Sequence, residues 1–186
     1  MTYDVPFALD ASLRLSGEQL DIRPLAETDW EALYAAASDP AIWAQHPASD
    51  RYLESVFRQY FDDAIASATA FVVVDRSSGS IIGSSRYHGY DADRSEIEIG
   101  WTFLTCDYWG GSVNRELKTL MLEYAFDFVD TVVFWVGDTN QRSRRALEKI
   151  GARQRDGLIE RGGTPHVVYE LRQSDLPLPG AGRRAR

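Results

Sequence analysis

The 186-residue chain has little of several features on which many proteins depend. It contains one cysteine, Cys106, and three histidines that lie far apart in the sequence. One cysteine cannot form an internal disulfide, and scattered histidines lack the close spacing of zinc ligands. We therefore expect a protein of the reduced cytoplasm that binds no metal ion.

Long apolar runs and net positive charge are also missing. The longest stretch without a charged residue is residues 64–74, about half of what a membrane-spanning helix needs. The first residues lack the basic and apolar order of a secretory signal. The net charge is −8, whereas nucleic-acid binding requires a basic face. We expect no membrane and no nucleic-acid partner.

The composition is that of an ordinary globular protein, with 44% hydrophobic and 26% charged residues. This length suits one domain, and no repeat or second unit is visible. The last twelve residues contain proline, glycine and arginine but few core residues. The sequence therefore predicts a single domain over residues 1–174 and a flexible tail over residues 175–186.

Hydrophobic periodicity predicts a mixture of strands and helices. Thr28 and Glu31 have the spacing of a capping box, and Ser49 or Asp50 is a candidate cap for a second helix. The loop between these helices is predicted at residues 40–48. The predicted strands are residues 20–25, 70–75, 80–90, 95–104, 131–136, 154–160 and 166–171, and later helices are predicted at 114–128 and 141–150.

A glycine-containing loop, Asp107-Tyr108-Trp109-Gly110-Gly111-Ser112, lies between a predicted strand and a predicted helix. Small residues there let backbone N–H groups converge at a helix N-terminus, which favours an anion such as a phosphate. A plain turn is the common alternative. The loop lacks the Lys-Ser/Thr ending of a P-loop and the third glycine of a dinucleotide fingerprint.

A second helix start follows the next strand. Asn140 is predicted to cap this helix, Ser143 lies at its third position, and Arg144, Arg145 and Lys149 make it the most basic segment of the body. A capped helix with a solvated basic face is the simple explanation. Because two successive strands each lead into a helix, two helix N-termini are also placed to flank one ligand.

Several motifs in order resemble the GCN5-related N-acetyltransferases, in the branch similar to the ribosomal-protein N-terminal acetyltransferases. The resemblance spans about residues 15–172. It is carried by residues 20–25 with Asp29, Asp39-Pro40, residues 99–104, 108–111, Asn114 with Glu116, residues 122–126 and residues 140–152. It implies an α/β fold whose mixed, mostly antiparallel sheet splays between its fourth and fifth strands, with helices on both faces. Acetyl-CoA would enter that gap.

The resemblance also implies which residues bind acetyl-CoA. The backbone amides of Trp109, Gly110, Gly111, Ser112, Val113 and Asn114 would hold the pyrophosphate. Asn140 and Ser143 match positions near the pantetheine arm, and Arg144 or Arg145 would reach the phosphates. A backbone N–H near Phe103 or Leu104 would polarise the thioester carbonyl. Two positions depart from the family pattern: Asp107 is acidic where a polar uncharged or cationic residue is usual, and Ser112 stands where glycine or alanine is usual.

An acceptor amine is mostly protonated at neutral pH, so the reaction needs a proton acceptor. Glu96 and Glu98 share one face of their predicted strand, and Glu96 resembles the base of the histone-acetylating branch by position. A solvated strand face is the alternative. The tyrosine acid of the superfamily is missing from residues 140–152, and Ser143 is the substitute donor. Trp43 and His46 are expected to line the acceptor pocket.

The sequence therefore predicts an N-acetyltransferase that moves an acetyl group from acetyl-CoA to a primary amine by direct transfer, without metal. The alternative is a weakly catalytic or non-catalytic acyl-CoA-binding or regulatory module on the same fold. The acceptor is expected to be a small-molecule amine or a protein N-terminus, and a homodimer is left open. The acidic body favours a cationic amine through electrostatic steering.

Overall fold

A computed structural model describes residue 7 and residues 9–176 of the chain and shows nine strands and five α-helices in this part. The strands are β1 (Leu15–Ser16), β2 (Leu20–Pro24), β3 (Ala70–Asp75), β4 (Ile81–Asp91), β5 (Glu96–Leu104), β6 (Thr131–Gly137), β7 (Arg153–Gln154), β8 (Ile159–Arg161) and β9 (Thr164–Arg172). The helices are α1 (Trp30–Ala37), α2 (Pro40–Trp43), α3 (Glu54–Ser67), α4 (Val113–Ala125) and α5 (Gln141–Lys149).

The strands form one sheet in the order β1-β2-β3-β4-β5-β6-β9-β7, and β8 pairs with β9. All neighbours are antiparallel except β5 and β6. The predicted mixed, mostly antiparallel sheet is confirmed. Because β1 adds one short strand at the start, the strands predicted as fourth and fifth are β5 and β6.

The parallel pair of β5 and β6 is short. Residues 96–98 of β5 pair with residues 131–133 of β6, and no further pair follows. Both strands continue beyond this point, to Leu104 and Gly137. The sheet therefore opens into a gap between β5 and β6, as the resemblance implied.

Two hydrophobic clusters cover the two faces of the sheet. The first joins α4 and Leu147 of α5 to one face, and the second joins α1, α2 and α3 to the other. The predicted placement of helices on both faces is confirmed. Burial of these apolar side chains is the main force that holds the layers together.

A β-bulge in β5 lies beside the gap. Trp101 has a positive φ of 51°, which is rare for a bulky residue. The register against β4 shifts at this point, because Arg86 lies opposite Gly100 while Ser84 lies opposite Phe103. The Tyr60 hydroxyl donates a hydrogen bond to the Trp101 carbonyl at 2.8 Å and helps to hold the bulge. Bulges re-aim side chains, and here the bulge turns Trp101 and Phe103 toward the α1–α3 face.

The starts of the first helices differ from prediction. The predicted capping box of Thr28 and Glu31 does not form, since a 3₁₀ turn (Glu27–Asp29) precedes α1 and Asp29 is the N-cap. The Asp29 carboxylate is instead engaged by Arg23 through two hydrogen bonds of 2.7 Å. This charge-assisted pair is stronger than a neutral cap.

The segment between α1 and α3 also differs from prediction. The predicted loop at 40–48 contains α2, because Pro40 suits the first helical position and Asp39 accepts the Ala41 N–H at 2.9 Å. The next helix, α3, starts later than predicted, after Leu53 rather than after Ser49 or Asp50.

The predicted cap of α5 is confirmed, and glycines shape two turns that follow it. The Asn140 side chain accepts the Ser143 N–H at 3.1 Å and caps α5. Gly151 follows the end of α5 with a φ of 89°. Gly162 and Gly163 both have positive φ in the turn between β8 and β9, as a tight hairpin requires.

The structure describes only the start of the predicted tail. Asp175 ends a 3₁₀ turn (Gln173–Asp175) and lies 3.8 Å from Arg153, and Leu176 follows. Residues 177–186 lie outside the described residues, so the tail stays a prediction, as does the boundary at residue 174. None of the helices described is both long and apolar enough to cross a membrane.

Candidate active site

The gap between β5 and β6 leaves two strand edges without a strand partner. Beyond residue 98 of β5 and residue 133 of β6, the facing edges have no ladder in the part of the chain that the structure describes. Backbone N–H and C=O groups there are available to a ligand, since unpaired buried backbone groups need partners. The predicted Phe103 and Leu104 lie on this stretch of β5, and both side chains are buried.

The N-terminus of α4 adjoins this gap. Its first helical hydrogen bond runs from the Glu116 N–H to the Ser112 carbonyl at 2.9 Å. The N–H groups of Val113, Asn114 and Arg115 therefore have no intrahelical acceptor. Together with the positive end of the helix dipole, these amides make a surface that suits an anion.

The glycine loop before α4 is open. Gly110 has a φ of 74°, and a Cβ atom on Gly110 or Gly111 would meet nothing within 4 Å. The Ser112 hydroxyl accepts a hydrogen bond of 2.8 Å from Gln19, which fixes the end of the loop. The Asp107 side chain is exposed at the start of the loop. The loop can therefore admit a large ligand without rearrangement of side chains above its glycines.

One arginine of α5 lies at this loop. The Arg142 guanidinium lies 3.9 Å from the centroid of the Trp109 ring, and the Trp109 indole N–H donates to the Leu104 carbonyl at 3.0 Å. The Arg144 side chain, which the resemblance placed on the phosphates, instead donates hydrogen bonds to Asp138, Gln154 and Tyr169. Arg142 is thus the arginine of α5 that contacts the loop, and the role of Arg144 stays a prediction.

The start of α5 follows β6 as the start of α4 follows β5. Asn140 is buried in its capping role, and Ser143 lies in the first turn of α5. Two helix N-termini thus follow the two strands that border the gap. This arrangement agrees with the expectation drawn from the two strand-to-helix junctions.

A cavity of about 290 Å³ lies on the face of the sheet that carries Glu98 and Trp101. Its walls come from the segment after α2, from β5 and β6 and from the β8–β9 hairpin. The lining residues are His46, Pro47, Ala48, Arg51, Glu98, Trp101, Trp135, Arg161, Gly162, Thr164 and His166.

Glu98 and Glu96 share a face of β5, as predicted, but they have different partners. Both carboxylate oxygens of Glu98 accept from Arg161 at 2.9 Å, and the side chain borders the cavity. Burial raises the pKa of Glu98, although Arg161 opposes this shift. Glu96 forms an ion pair with Arg155, which also binds Glu170 at 2.7 Å. Of the two glutamates, only Glu98 reaches the cavity.

Gly100 gives the Glu98 side chain its position. A Cβ atom at residue 100 would lie 2.9 Å from the nearer oxygen of Glu98. Such a contact is too close for a real Cβ atom, so the absence of a side chain at Gly100 lets the carboxylate lie over β5. The sequence motif at residues 99–104 contains this glycine, but its function is visible only in the folded chain.

Aromatic and basic side chains that the sequence analysis did not assign to the site form much of the cavity wall. The Arg161 guanidinium lies 5.2 Å from the Trp101 ring and 5.0 Å from the Trp135 ring. The His166 Nδ1 donates to the Thr164 carbonyl at 2.8 Å, which leaves Nε2 as the lone-pair nitrogen of the neutral ring. His166 pairs with Gly137, the last residue of β6. Its place at the start of the predicted strand 166–171 is the signal that the sequence offers, whereas its position opposite the end of β6 follows only from the pairing of the two strands.

Of the two predicted pocket residues, His46 lines the cavity and Trp43 lies beneath it. Trp43 is 2% exposed, and its indole N–H donates to the Ala37 carbonyl at 2.8 Å. Burial and the nearby Arg51 lower the pKa of His46 to about 3. The His46 ring is therefore neutral at physiological pH.

Lys118 is a buried cation that the sequence analysis did not identify. From α4, its Nζ reaches the gap, where it donates to the Thr102 hydroxyl at 2.7 Å and lies 5.3 Å from the Phe134 ring. Thr102 and Phe134 belong to β5 and β6 beyond their last pair. Burial lowers the pKa of Lys118 to about 7. Within residues 7 and 9–176, no three His, Cys, Asp or Glu side chains converge as metal ligands.

A family model described as an acetyltransferase (GNAT) domain matches residues 19–153. A comparison with curated protein sequences gives no match. Many solved structures are similar in fold.

Three of these solved structures illustrate the similarity. A GCN5-related N-acetyltransferase from Brucella melitensis is 21% identical, with a TM-score of 0.77 over 88% of this chain and 80% of that one. Mycobacterium smegmatis RimJ, solved in complex with CoA-disulfide, is 18% identical, with a TM-score of 0.66 over 86% and 84%. A ribosomal-protein alanine acetyltransferase from Vibrio fischeri is 15% identical, with a TM-score of 0.67 over 89% and 100%. At these identities the structural matches establish the shared fold.

Proposed function

The chain belongs to the GCN5-related N-acetyltransferase family, and from this premise we propose that it transfers an acetyl group from acetyl-CoA to a primary amine. The transfer is direct and takes place in a ternary complex of protein, donor and acceptor. One observation carries the proposal: β5 and β6 separate after Glu98. Their separation leaves an opening between the amide-lined start of α4 and the cavity that holds Glu98.

The residues present fit acetyl-CoA. The free N–H groups of Val113, Asn114 and Arg115 suit its pyrophosphate, and Arg142 adds a positive charge beside the loop. The unpaired edges of the gap suit an arm that carries amide groups. When bound, acetyl-CoA supplies a thioester whose carbonyl carbon is the electrophile.

The acceptor nitrogen attacks this carbonyl carbon. The new N–C bond forms as the C–S bond breaks, and the products are an acetylated amine and the thiol of CoA. The amine must lose a proton, and the departing sulfur must gain one. Glu98 is the proposed proton acceptor, because its carboxylate borders the cavity and because burial raises its pKa toward the working range of a general base.

The remaining steps need donors beside the gap. A backbone N–H near Phe103 or Leu104 is the proposed donor to the thioester oxygen, since both residues lie on the unpaired edge of β5. Ser143, in the first turn of α5, and Lys118, whose Nζ lies between β5 and β6, are the proposed donors to the departing sulfur.

Glutamine substitutions at the two glutamates test the base. We expect Glu98→Gln to lower kcat roughly 100-fold or more, which is the usual contribution of a general base. Its Kd for acetyl-CoA should change little. Glu96→Gln is the matched control, because it removes a carboxylate that is already committed to Arg155. Turnover is followed by thiol release, and an unchanged kcat in Glu98→Gln would remove Glu98 from this role.

The alternative function is a non-catalytic or weakly catalytic acyl-CoA-binding or regulatory module. One observation favours it: Glu96 and Glu98 are both in ion pairs with arginines. Arg161 must release Glu98 before that carboxylate can accept a proton. Thermal stabilisation by acetyl-CoA without thiol release over a broad amine panel would support the module. No stabilisation at all would count against both functions.

The acceptor class proposed at this level is a small-molecule amine or a protein N-terminus. A solved structure with the same fold is named as a ribosomal-protein alanine acetyltransferase, which brings the second class into consideration. A panel that contains free amines and short peptides with unblocked N-termini separates the two.

A further inference from the structure

The charge around the cavity has the opposite sign to the charge of the whole chain. The chain carries −8, yet the cavity is lined by Arg51 and Arg161 and by a single carboxylate, that of Glu98. Arg161 is matched by Glu98 at 2.9 Å. No carboxylate in the cavity lining therefore remains to balance the positive charge of Arg51.

Arg51 is held by aromatic rings rather than by an acid. Its guanidinium lies 5.6 Å from the Trp43 ring and 5.1 Å from the Tyr60 ring. It forms no ion pair with the carboxylates in residues 9–176. Burial lowers the pKa of Arg51. Arg51 is half-buried, and partial desolvation of a cation without an ion pair is costly, so a bound anion would offset this cost.

His46 and Arg51 present two donors to the same place. The His46 Nδ1 accepts the Ala48 N–H at 2.9 Å, so the single proton of the neutral ring lies on Nε2. The Arg51 Nη1 lies 3.3 Å from that Nε2. Since both atoms carry hydrogen, neither accepts from the other. Neither atom has an oxygen acceptor among the residues described, and an oxygen with lone pairs would suit both.

Arg86 is a second guanidinium without an ion pair among the residues described, and it lies behind the wall of the cavity, where its Nη1 donates to the Asp63 carbonyl at 3.4 Å. It is 5% exposed, and its Nε finds no hydrogen-bond partner among the residues described. Its guanidinium lies 4.5 Å from the Trp101 ring and 5.6 Å from the Tyr60 ring. Arg86 and Arg51 therefore contact the same tyrosine, and each favours an anion nearby.

We propose, on the basis of the proposed acetyltransferase function, that the acceptor is a small amine that also carries a carboxylate or phosphate group. Arg51 and His46 bind the anionic group, and the amine lies toward Glu98. The cavity of about 290 Å³ is at the small end of ligand pockets. This size suits a molecule comparable to an amino acid, and the indoles of Trp101 and Trp135 suit its apolar part.

This acceptor class differs from the cationic amine that the net charge favours. Net charge acts at long range and is screened by salt, whereas the groups in contact with the ligand decide its binding. The cationic groups Arg51 and Arg86 become neighbours only when α3 and its preceding segment pack on β4. The preference for an anion is therefore a property of the folded cavity.

Matched pairs of acceptors test the proposal with the full chain and acetyl-CoA. Free amino acids are compared with their α-carboxamides, and phosphoethanolamine is compared with ethanolamine. We expect the acid of a pair to have the higher kcat/KM. The α-carboxamide makes the amine less basic, so intrinsic reactivity at neutral pH opposes this preference. The two kinds of pair show whether the anion is a carboxylate or a phosphate.

Arg51→Gln connects the preference to the cavity. We expect it to raise KM for the acid about tenfold or more, the effect of one hydrogen bond to a charged group. The preference for the acid over the carboxamide should disappear. Arg51→Lys keeps the positive charge and should retain part of the preference for the acid. This variant replaces Arg51→Gln in the test if the glutamine variant does not fold. Arg58→Gln is the control, because Arg58 lies on the exposed side of α3 over Trp30.

The outcomes separate this proposal from the proposed function. Equal or better turnover of neutral or cationic amines would overturn the anionic acceptor while the acetyltransferase function stands. A preference for peptides over free amino acids would overturn the small acceptor. Thermal stabilisation by the acid but not by its carboxamide, lost in Arg51→Gln, would support the anion site even if no amine releases thiol. In that last case the transferase function fails.

Discussion

Removal of the Lys118 amine should stabilise the protein in a pH-dependent manner. The Lys118 Nζ is buried between β5 and β6, and among the residues described it has one hydrogen bond, to Thr102. Burial lowers the pKa of this group from 10.5 to about 7. Between these two values the unfolded chain binds a proton that the folded chain does not. Stability must therefore rise with pH across this window.

The size of the effect follows from the shift in pKa. Each unit of pKa corresponds to about 1.4 kcal/mol, so burial of Lys118 costs about 4 kcal/mol near pH 7 and about 2 kcal/mol near pH 9. Lys118→Met keeps an unbranched side chain but removes the charge. We expect Lys118→Met to be more stable than the parent, by an amount that falls by about 2 kcal/mol between pH 7 and pH 9.

Urea unfolding of parent and variant near both pH values measures this difference. The chain has only two lysines, and Lys149 is exposed on α5, so Lys149→Met is the matched control. Comparison within each pH cancels the titration of all other groups. A stability difference that does not change with pH, or a less stable Lys118→Met near pH 7, would refute the reasoning.

Two further predictions concern the loop before α4. Gly110→Val should weaken acetyl-CoA binding far more than Gly79→Val. The two sites are matched, because both glycines have a φ near 70° with open space around them. Both variants should therefore lose a similar amount of stability, about 1–2 kcal/mol, from the left-handed backbone. Equal acetyl-CoA affinities by calorimetry would contradict the loop assignment. Cys106 should react with iodoacetamide more slowly than free cysteine at neutral pH, because burial and Asp39 raise the pKa of its thiol, and Cys106→Ser should keep turnover. Fast alkylation with loss of turnover would instead indicate an acyl-cysteine mechanism.

The two glutamates of β5 show how far the sequence reached in the site. Alternation along a strand placed Glu96 and Glu98 on one face, and the structure agrees. Their separate roles could not be predicted, because the arginines that pair with them, Arg155 and Arg161, lie about sixty residues later in the sequence. Family position favoured Glu96, whereas the folded contacts favour Glu98.

The residues that line the cavity also could not be predicted from the sequence alone. Trp101 and Trp135 were not predicted to belong to the site, whereas Trp43 was expected to line the acceptor pocket. The bulge at Trp101 reverses the alternation of side chains along β5. The face of the sheet on which each later side chain lies therefore cannot be predicted by alternation from the start of the strand. Trp43 is buried because α1 and α3 close over it, which only the packing of three helices determines.

The sequence by itself determined the features that depend on near neighbours. Periodicity set the strands and helices, Asn140 set the start of α5, and Gly162 and Gly163 set the last hairpin, since propensity, capping and turn geometry act within a few residues. Tertiary structure alone decided that Lys118 lies between two strands, that Arg51 forms no ion pair within residues 9–176 and that Glu98 rather than Glu96 borders the cavity. These outcomes depend on burial and on charges brought together from distant segments, and neither exists until the sheet and its helices have packed.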